Sequence, residues 1–233
     1  MKRNVGWLLA AVLIAAFCAL GNWQWQRGVA KQLAVDAQAK VLADRRAEPL
    51  ASQSLREETT LAWAAGRGRF PDDAPALLLD NQRRGQLVGV REFRVFVPDG
   101  GRALLVDLGW QPLPGDRTLP PVQALPGARL LHGLLAPPPS AGLALGPDHV
   151  DAGDGRWLLT RVEMPALARA LDVELAPRVL RLDPADPIGH ARDLEPLPNT
   201  LPPERHRGYA IQWFALAFAT LVAALLLSRR RRQ

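Results

Sequence analysis

Two long apolar runs, one near each end of the chain, constrain this sequence more than any other feature. The first runs from Val5 to Gly21 (VGWLLAAVLIAAFCALG), seventeen residues without a charge. That is the lower limit for crossing a hydrocarbon core about 30 Å thick. The second runs from Gly208 to Leu227 (GYAIQWFALAFATLVAALLL), twenty residues whose polar interruptions are Gln212 and Thr220. Trp23 and Trp25 follow the first run, and Tyr209 and Trp213 lie at the mouth of the second. Indole and phenol rings at both levels suit the headgroup belt of a bilayer.

The charge pattern points the same way. The net charge of +6 invites a nucleic-acid reading until its location is examined. Lys2, Arg3 and Arg229 to Arg232 supply six of the 29 basic residues, and the other 23 balance 23 acids. The excess therefore flanks the apolar runs, which is the positive-inside pattern of a membrane hairpin. The expected partner is the lipid bilayer, and no nucleic acid is expected. The organisation that follows is an N-tail (1–4), a first membrane helix (5–25), an outer domain (26–205), a second membrane helix (208–228) and a basic tail (229–233). Both termini are expected in the cytoplasm. Arginine outnumbers lysine 26 to 3, which suggests a GC-rich bacterial genome. The expected location is then the bacterial inner membrane, with the main domain in the periplasm.

A cleaved signal peptide is the competing reading of the first run. It lacks a small-x-small site, since Ala19 would need Phe17 two positions earlier. Ala15-Ala16-Phe17-Cys18 is a poor lipobox, with a bulky residue before the cysteine. Cys18 is the single cysteine, which excludes an internal disulfide framework and any CxxC site.

Between the runs the sequence reads as strand-rich. A polar, alanine-rich helix continues from Gln24 to Arg46, and Pro49 is expected to end it. Leu77 to Asp80, Gln86 to Val97, Ala103 to Trp110, Arg129 to Leu135, Trp157 to Val162 and Arg178 to Leu182 are strand candidates. Asp99-Gly100-Gly101-Arg102 is a hairpin turn. Pro165 to Leu171 is a short helix with proline in its first turn. Stretches from Pro112 to Pro126, Pro137 to Pro147 and Pro196 to Pro203 are expected loops. The fold class is a membrane protein, a two-helix transmembrane hairpin flanking an α+β, mostly antiparallel extramembrane domain of about six strands.

Catalytic signatures are missing from this sequence: it has no GxSxG, HExxH or P-loop. Asp148 to Gly155 (DHVDAGDG) gathers carboxylates and a histidine, but lacks the alternating ligands of a Ca²⁺ loop and reads as a polar surface loop. His132 reads as a packed strand histidine and His190 as a solvated loop residue. His206 is placed differently, at the aqueous mouth of the second membrane helix. His206, Tyr209 and Trp213 follow an i, i+3, i+7 pattern and are expected on one helical face. Trp23 and Arg27 lie four apart at the same level of the first helix. An imidazole, aromatics and a cation at an interface suit haem, with the imidazole on iron and arginine toward the propionates. The same residues also suit an aromatic belt and a headgroup anchor.

Several motifs carry a resemblance. Leu20-Gly21-Asn22-Trp23-Gln24-Trp25-Gln26-Arg27 with Lys31, Gly66-Arg67-Gly68-Arg69-Phe70, Leu104-Leu105-Val106-Asp107-Leu108-Gly109-Trp110, Gly133-Leu134-Leu135 and His206-Arg207-Gly208-Tyr209-Ala210-Ile211-Gln212-Trp213-Phe214 occur in that order. Together they resemble the Surfeit locus protein 1 (Shy-type) family of cytochrome c oxidase assembly factors. Asp107 and Leu108 stand where the family has Asn-Arg, Gln111 replaces a valine, and Arg161 stands where the family often has Asp. The resemblance implies a non-enzymatic role in inserting or stabilising haem a in the catalytic subunit of a haem-copper oxidase, with haem a synthase as a further partner. It implies His206 as a transient haem a iron ligand, Trp23 and Trp213 as haem-proximal aromatics, and Arg27 as a propionate or headgroup partner. The alternative is a membrane-anchored periplasmic scaffold without cofactor contact. A periplasmic enzyme using Asp148 to Asp154 is the third reading.

Overall fold

The computed structural model describes residues 2–56, 61–140, 146–195 and 201–230. Its elements are, in chain order, α1 (Lys2–Asp44), β1 (Glu48–Pro49), α2 (Leu50–Gln53), β2 (Ala62–Arg69), β3 (Ala76–Arg84), β4 (Leu87–Pro98), β5 (Ala103–Pro112), β6 (Ala128–Ala136), β7 (His149–Asp151), β8 (Arg156–Leu159), α3 (Met164–Ala170), β9 (Leu175–Leu182) and α4 (Pro203–Arg230). They form two compact units. One joins α1 as far as Ala37 with α4, and the other runs from Gln38 to Glu195.

The apolar run and its polar continuation form one helix of 43 residues, about 65 Å long at 1.5 Å per residue. It stops at Asp44, two residues short of the expected Arg46 and before Pro49 is reached. Arg45 adopts a left-handed φ of 40° and its amide donates to the Val41 carbonyl at 3.0 Å, which turns the chain out of the helix. Pro49 instead closes β1 and precedes α2. Both α1 and α4 are long and apolar enough to cross a membrane.

The second unit is a nine-stranded sheet, richer in strands than expected and mixed in direction. Its order is β1-β2-β6-β9-β5-β4-β3-β8-β7. The β1–β2, β3–β8 and β5–β9 pairs are parallel. The others are antiparallel, including the β4–β5 hairpin whose turn contains Gly100 at a φ of 71°. The end of β2 also pairs with β4, Gly68 opposite Pro98 and Arg69 opposite Val97. That contact closes β2-β6-β9-β5-β4 into a five-stranded ring.

Period-two alternation sorts the side chains. Phe96, Leu104, Val106, Leu131, Leu135 and Leu180 fill the ring, with Leu50 of α2 beside them. Phe93, Val95, Leu105 and Val179 point to the opposite face and pack against Met164 and Leu167 of α3. Helix α3 has Pro165 in its first turn, and the Glu163 carboxylate caps it by accepting from the Ala166 amide at 2.9 Å. The expected polar loop at Asp148 to Gly155 is in part a strand, since His149–Asp151 pairs with β8. Parts of two expected proline loops, residues 141–145 and 196–200, and Arg231 and Arg232 of the basic tail lie outside the described residues.

Arg178 of β9 has no exposed surface. It donates to the Gln53 carbonyl at 3.1 Å and the Leu135 carbonyl at 2.7 Å, tying α2 to the ring. Burial and the nearby Arg56 push its pKa down to about 10, so it stays charged at neutral pH. Arg178→Ala leaves both carbonyls without this donor and opens a cavity. It should cost about 3 kcal/mol in denaturant unfolding of the detergent-solubilised chain. A base with a depressed folded-state pKa gains stability only as pH rises through that value toward its unfolded one. Arg178 should therefore add no slope to a stability profile between pH 6 and 8, and wild type and variant should run parallel there.

Candidate functional site

The helical unit is held along a narrow seam. On α1 the residues turned inward are Ala10, Gly21 and Gly28, which are buried, and Ile14, Phe17 and Gln24, which are half-buried. On α4 they are Pro203, His206, Ala210 and Ala217, buried, and Trp213, half-buried. Both sets alternate steps of three and four residues, the spacing that keeps one stripe of each helix facing its neighbour. The helices run antiparallel, with Gly28 beside Pro203 and His206, and Gly21 beside Phe214. A Cβ on Gly28 would stand 3.3 Å from the Pro203 carbonyl oxygen and 3.4 Å from the His206 Cβ. A Cβ on Gly21 would stand 2.8 Å from the Phe214 ring. Close approach at these two glycines brings the polar groups of the seam within reach of each other.

His206 lies in the first turn of α4 and is only 7% exposed. Its Nδ1 is 2.7 Å from the Gln24 Oε1. Its Nε2 is buried and, among the described residues, has no hydrogen-bond partner. One turn beyond Arg27, the Lys31 ammonium donates to the Leu201 carbonyl at 2.7 Å and ties the start of α4 to α1. Deeper in the seam Trp213 stacks on Phe17, ring centroids 5.8 Å apart.

Of the five residues singled out in the sequence, the seam takes His206 and Trp213. Tyr209 is 39% exposed, because a residue at i+3 sits about 60° round the helix from His206. Trp23 is 56% exposed and Arg27 is exposed, both on the outward face of α1. The structure thus sets three of the five outside the seam. Gln24, which sequence reading passed over, is the residue that meets His206. The three-four spacing of Phe17, Gly21, Gln24 and Gly28 is the signal that would have found it.

Several histidines and carboxylates of the sheet unit have local partners. His132 is half-buried on β6. His149 stacks on Trp157 at 4.5 Å, Asp148 pairs with Arg161, and Asp154 pairs with Arg156 at 2.6 Å. His190 differs from its expected solvated state. Its Nε2 lies 2.8 Å from the Glu92 carboxylate, which is 1% exposed and also accepts from Gln111 at 3.2 Å. Asp107 accepts from Arg91 at 2.6 Å and from the Gly109 amide at 3.0 Å. No group of three or more His, Cys, Asp and Glu residues suited to a metal ion occurs among the described residues. A concavity of about 540 Å³ beside Trp157 is edged by Asp72, Asp73, Asp151 and Asp154.

The donor set at His206 fits haem iron. The Nδ1 of His206 faces the Gln24 amide oxygen, and its Nε2 is a buried ring nitrogen with no partner among the described residues, the kind of atom that ligates iron. Trp213 lies about two turns further along the same stripe of α4, stacked on Phe17.

The sequence profile described as SURF1 family matches residues 11–218. No curated protein matches the chain.

The seam makes a steric prediction. Gly21→Leu and Gly28→Leu should each lower the stability of the helix pair by about 2 kcal/mol through overpacking. In Gly28→Leu, diethyl pyrocarbonate modification of His206, followed by mass spectrometry, should become faster. Gly28→Ala, whose Cβ meets its neighbours at 3.3 to 3.4 Å, should show a smaller change than Gly28→Leu in both measurements.

Proposed function

The chain belongs to the SURF1 family, and from that premise we propose that it is a non-catalytic factor for assembling a haem-copper oxidase, one that presents haem a to the catalytic subunit. The family is linked to cytochrome oxidase assembly. The observation that carries the finer reading is the His206 Nε2, a buried nitrogen with no hydrogen-bond partner among the described residues. His206 would take the iron and Trp213 would lie beside the macrocycle. Haem a supplies the redox-active iron centre that the oxidase subunit requires. A single protein ligand suits a carrier, because the cofactor must leave again. Haem a synthase is a second partner in this scheme.

The same reading places the chain in the bacterial inner membrane as a hairpin, with both termini cytoplasmic and the sheet unit periplasmic. The apolar helices and the basic residues at their far ends support it. The outward-facing Trp23, Arg27 and Tyr209 favour a second reading, in which they serve as interfacial anchors for a scaffold that never touches the cofactor.

Haem content separates the two. The full-length chain, co-produced with the enzymes of haem a synthesis and purified in detergent, should retain haem a in a pyridine haemochrome spectrum. His206→Ala should lose most of it. Equal retention in both would move the ligand elsewhere, and none in a folded wild type would favour the scaffold. For topology, alkaline phosphatase fused after Gln233 should be inactive, whereas an active fusion would overturn the hairpin orientation.

A further inference from the structure

We propose that Gln24 is a positioning residue: its amide oxygen holds the His206 imidazole in the Nδ1–H tautomer and leaves the Nε2 lone pair free to act as a ligand atom. The hydrogen-bonding pattern stands on the seam geometry alone. Its use in holding iron rests on the haem reading above.

The argument starts from donor and acceptor counts. An amide oxygen accepts and never donates, so with Oε1 turned toward Nδ1 at 2.7 Å the tautomer that completes the hydrogen bond is the one protonated on Nδ1. A neutral imidazole has one N–H, and Nε2 is therefore bare. The opposite tautomer would put two lone pairs against each other across the seam. It would also bury an Nε2–H that has no acceptor among the described residues. The doubly protonated ring would bury the same orphan donor together with a charge. Burial thus selects one of three protonation states.

The placement of the pair matters as much as its length. Gln24 belongs to α1 and His206 to α4, with Gly28 one turn along α1 lying against the His206 Cβ. The imidazole is thereby held from its Cβ side by a glycine and from its ring by an amide, and rotation about its side-chain bonds is restricted. Histidines that bind metals generally donate their second ring N–H to a fixed oxygen, which sets tautomer and ring direction. Here that oxygen comes from the partner helix. The ligand atom is then set up only when both helices are paired.

The test reads the tautomer directly. Full-length protein carrying ¹⁵N-histidine is studied in detergent at pH 8 by long-range ¹H–¹⁵N correlation, with the His206 signals assigned by their loss in His206→Gln. In wild type, Nδ1 should show the protonated shift and Nε2 the lone-pair shift. Gln24→Leu should move His206 toward the Nε2–H form, and Gln24→Glu, which keeps an acceptor at the same reach, should retain Nδ1–H. A wild-type spectrum with the proton on Nε2 would overturn the proposal. So would a Gln24→Leu spectrum unchanged from wild type in a chain with an unaltered thermal melt. If Gln24→Leu fails to fold, wild type and Gln24→Glu still decide, because loss of Nδ1–H in either refutes it.

A second readout uses haemin as the probe. Its dissociation constant should rise about tenfold in Gln24→Leu and recover in Gln24→Glu. Failure of wild type to bind haemin, with the Nδ1–H tautomer present, would refute the haem reading while supporting the tautomer assignment.

Discussion

The separation of α1 and α4 is set by two side chains that are not there. Gly21 and Gly28 lie seven residues apart on the same stripe of α1, and each faces an atom that a Cβ would crowd. Everything described in the helical unit follows from that approach. It lets the short reach of a glutamine amide meet an imidazole on the neighbouring helix. It confines the seam to about one residue in width, so the remaining side chains face outward. Leu8, Leu9, Ile211, Phe218 and Leu227 are all more than half exposed. Exposed apolar residues of this kind on both helices suit membrane anchoring.

The sheet unit solves a different problem, that of burying charge. Arg178, Glu92, Arg94 and Asp107 are all nearly without exposed surface. Each has partners: backbone carbonyls for Arg178, His190 and Gln111 for Glu92, the Gln123 carbonyl for Arg94, Arg91 for Asp107. Arg192 gathers the carbonyls of Asp183, Asp186, Ile188 and His190 and so shapes the segment that follows β9. Buried polar groups satisfied in this way fix one arrangement of strands, since a slipped register would strand several of them at once. Asp107 is one of the positions where this sequence differs from the family pattern it resembles. Its carboxylate is absorbed by Arg91 and by the bulge at Gly109, whose φ is 112°.

What was legible in the sequence was whatever local chemistry determines. The two apolar runs, the glycine turn at Asp99 to Arg102 and the proline-led helix at Pro165 announce themselves within a few residues. β2 did not, because apart from Trp63 the segment Ala62 to Arg69 (AWAAGRGR) is built of small and charged residues with weak strand preference. Its strand character comes from β6 and β4 on either side. β7 is a polar three-residue edge held by β8, and His190 looks solvated until Glu92, 98 positions earlier, is brought beside it. At the helical site, sequence placed His206 correctly at the start of α4 but not the direction of its neighbours. Helical spacing states which residues share a face. It does not state which face the other helix covers, and here the glycines decide that against Trp23, Arg27 and Tyr209.

β9 occupies the position between β6 and β5, so the ring is a gap until residues 175–182 arrive. A chain emerging from its N-terminus can zip the β3–β4–β5 meander early, because those contacts are close in sequence. The facing edges of β5 and β6 must then wait, unpaired, through roughly forty further residues. During synthesis the sheet unit therefore passes through a stage with two open strand edges, the state most prone to pairing with other chains. β9 ends at Leu182 and α4 begins at Pro203, so the ring can close before the last helix has been made.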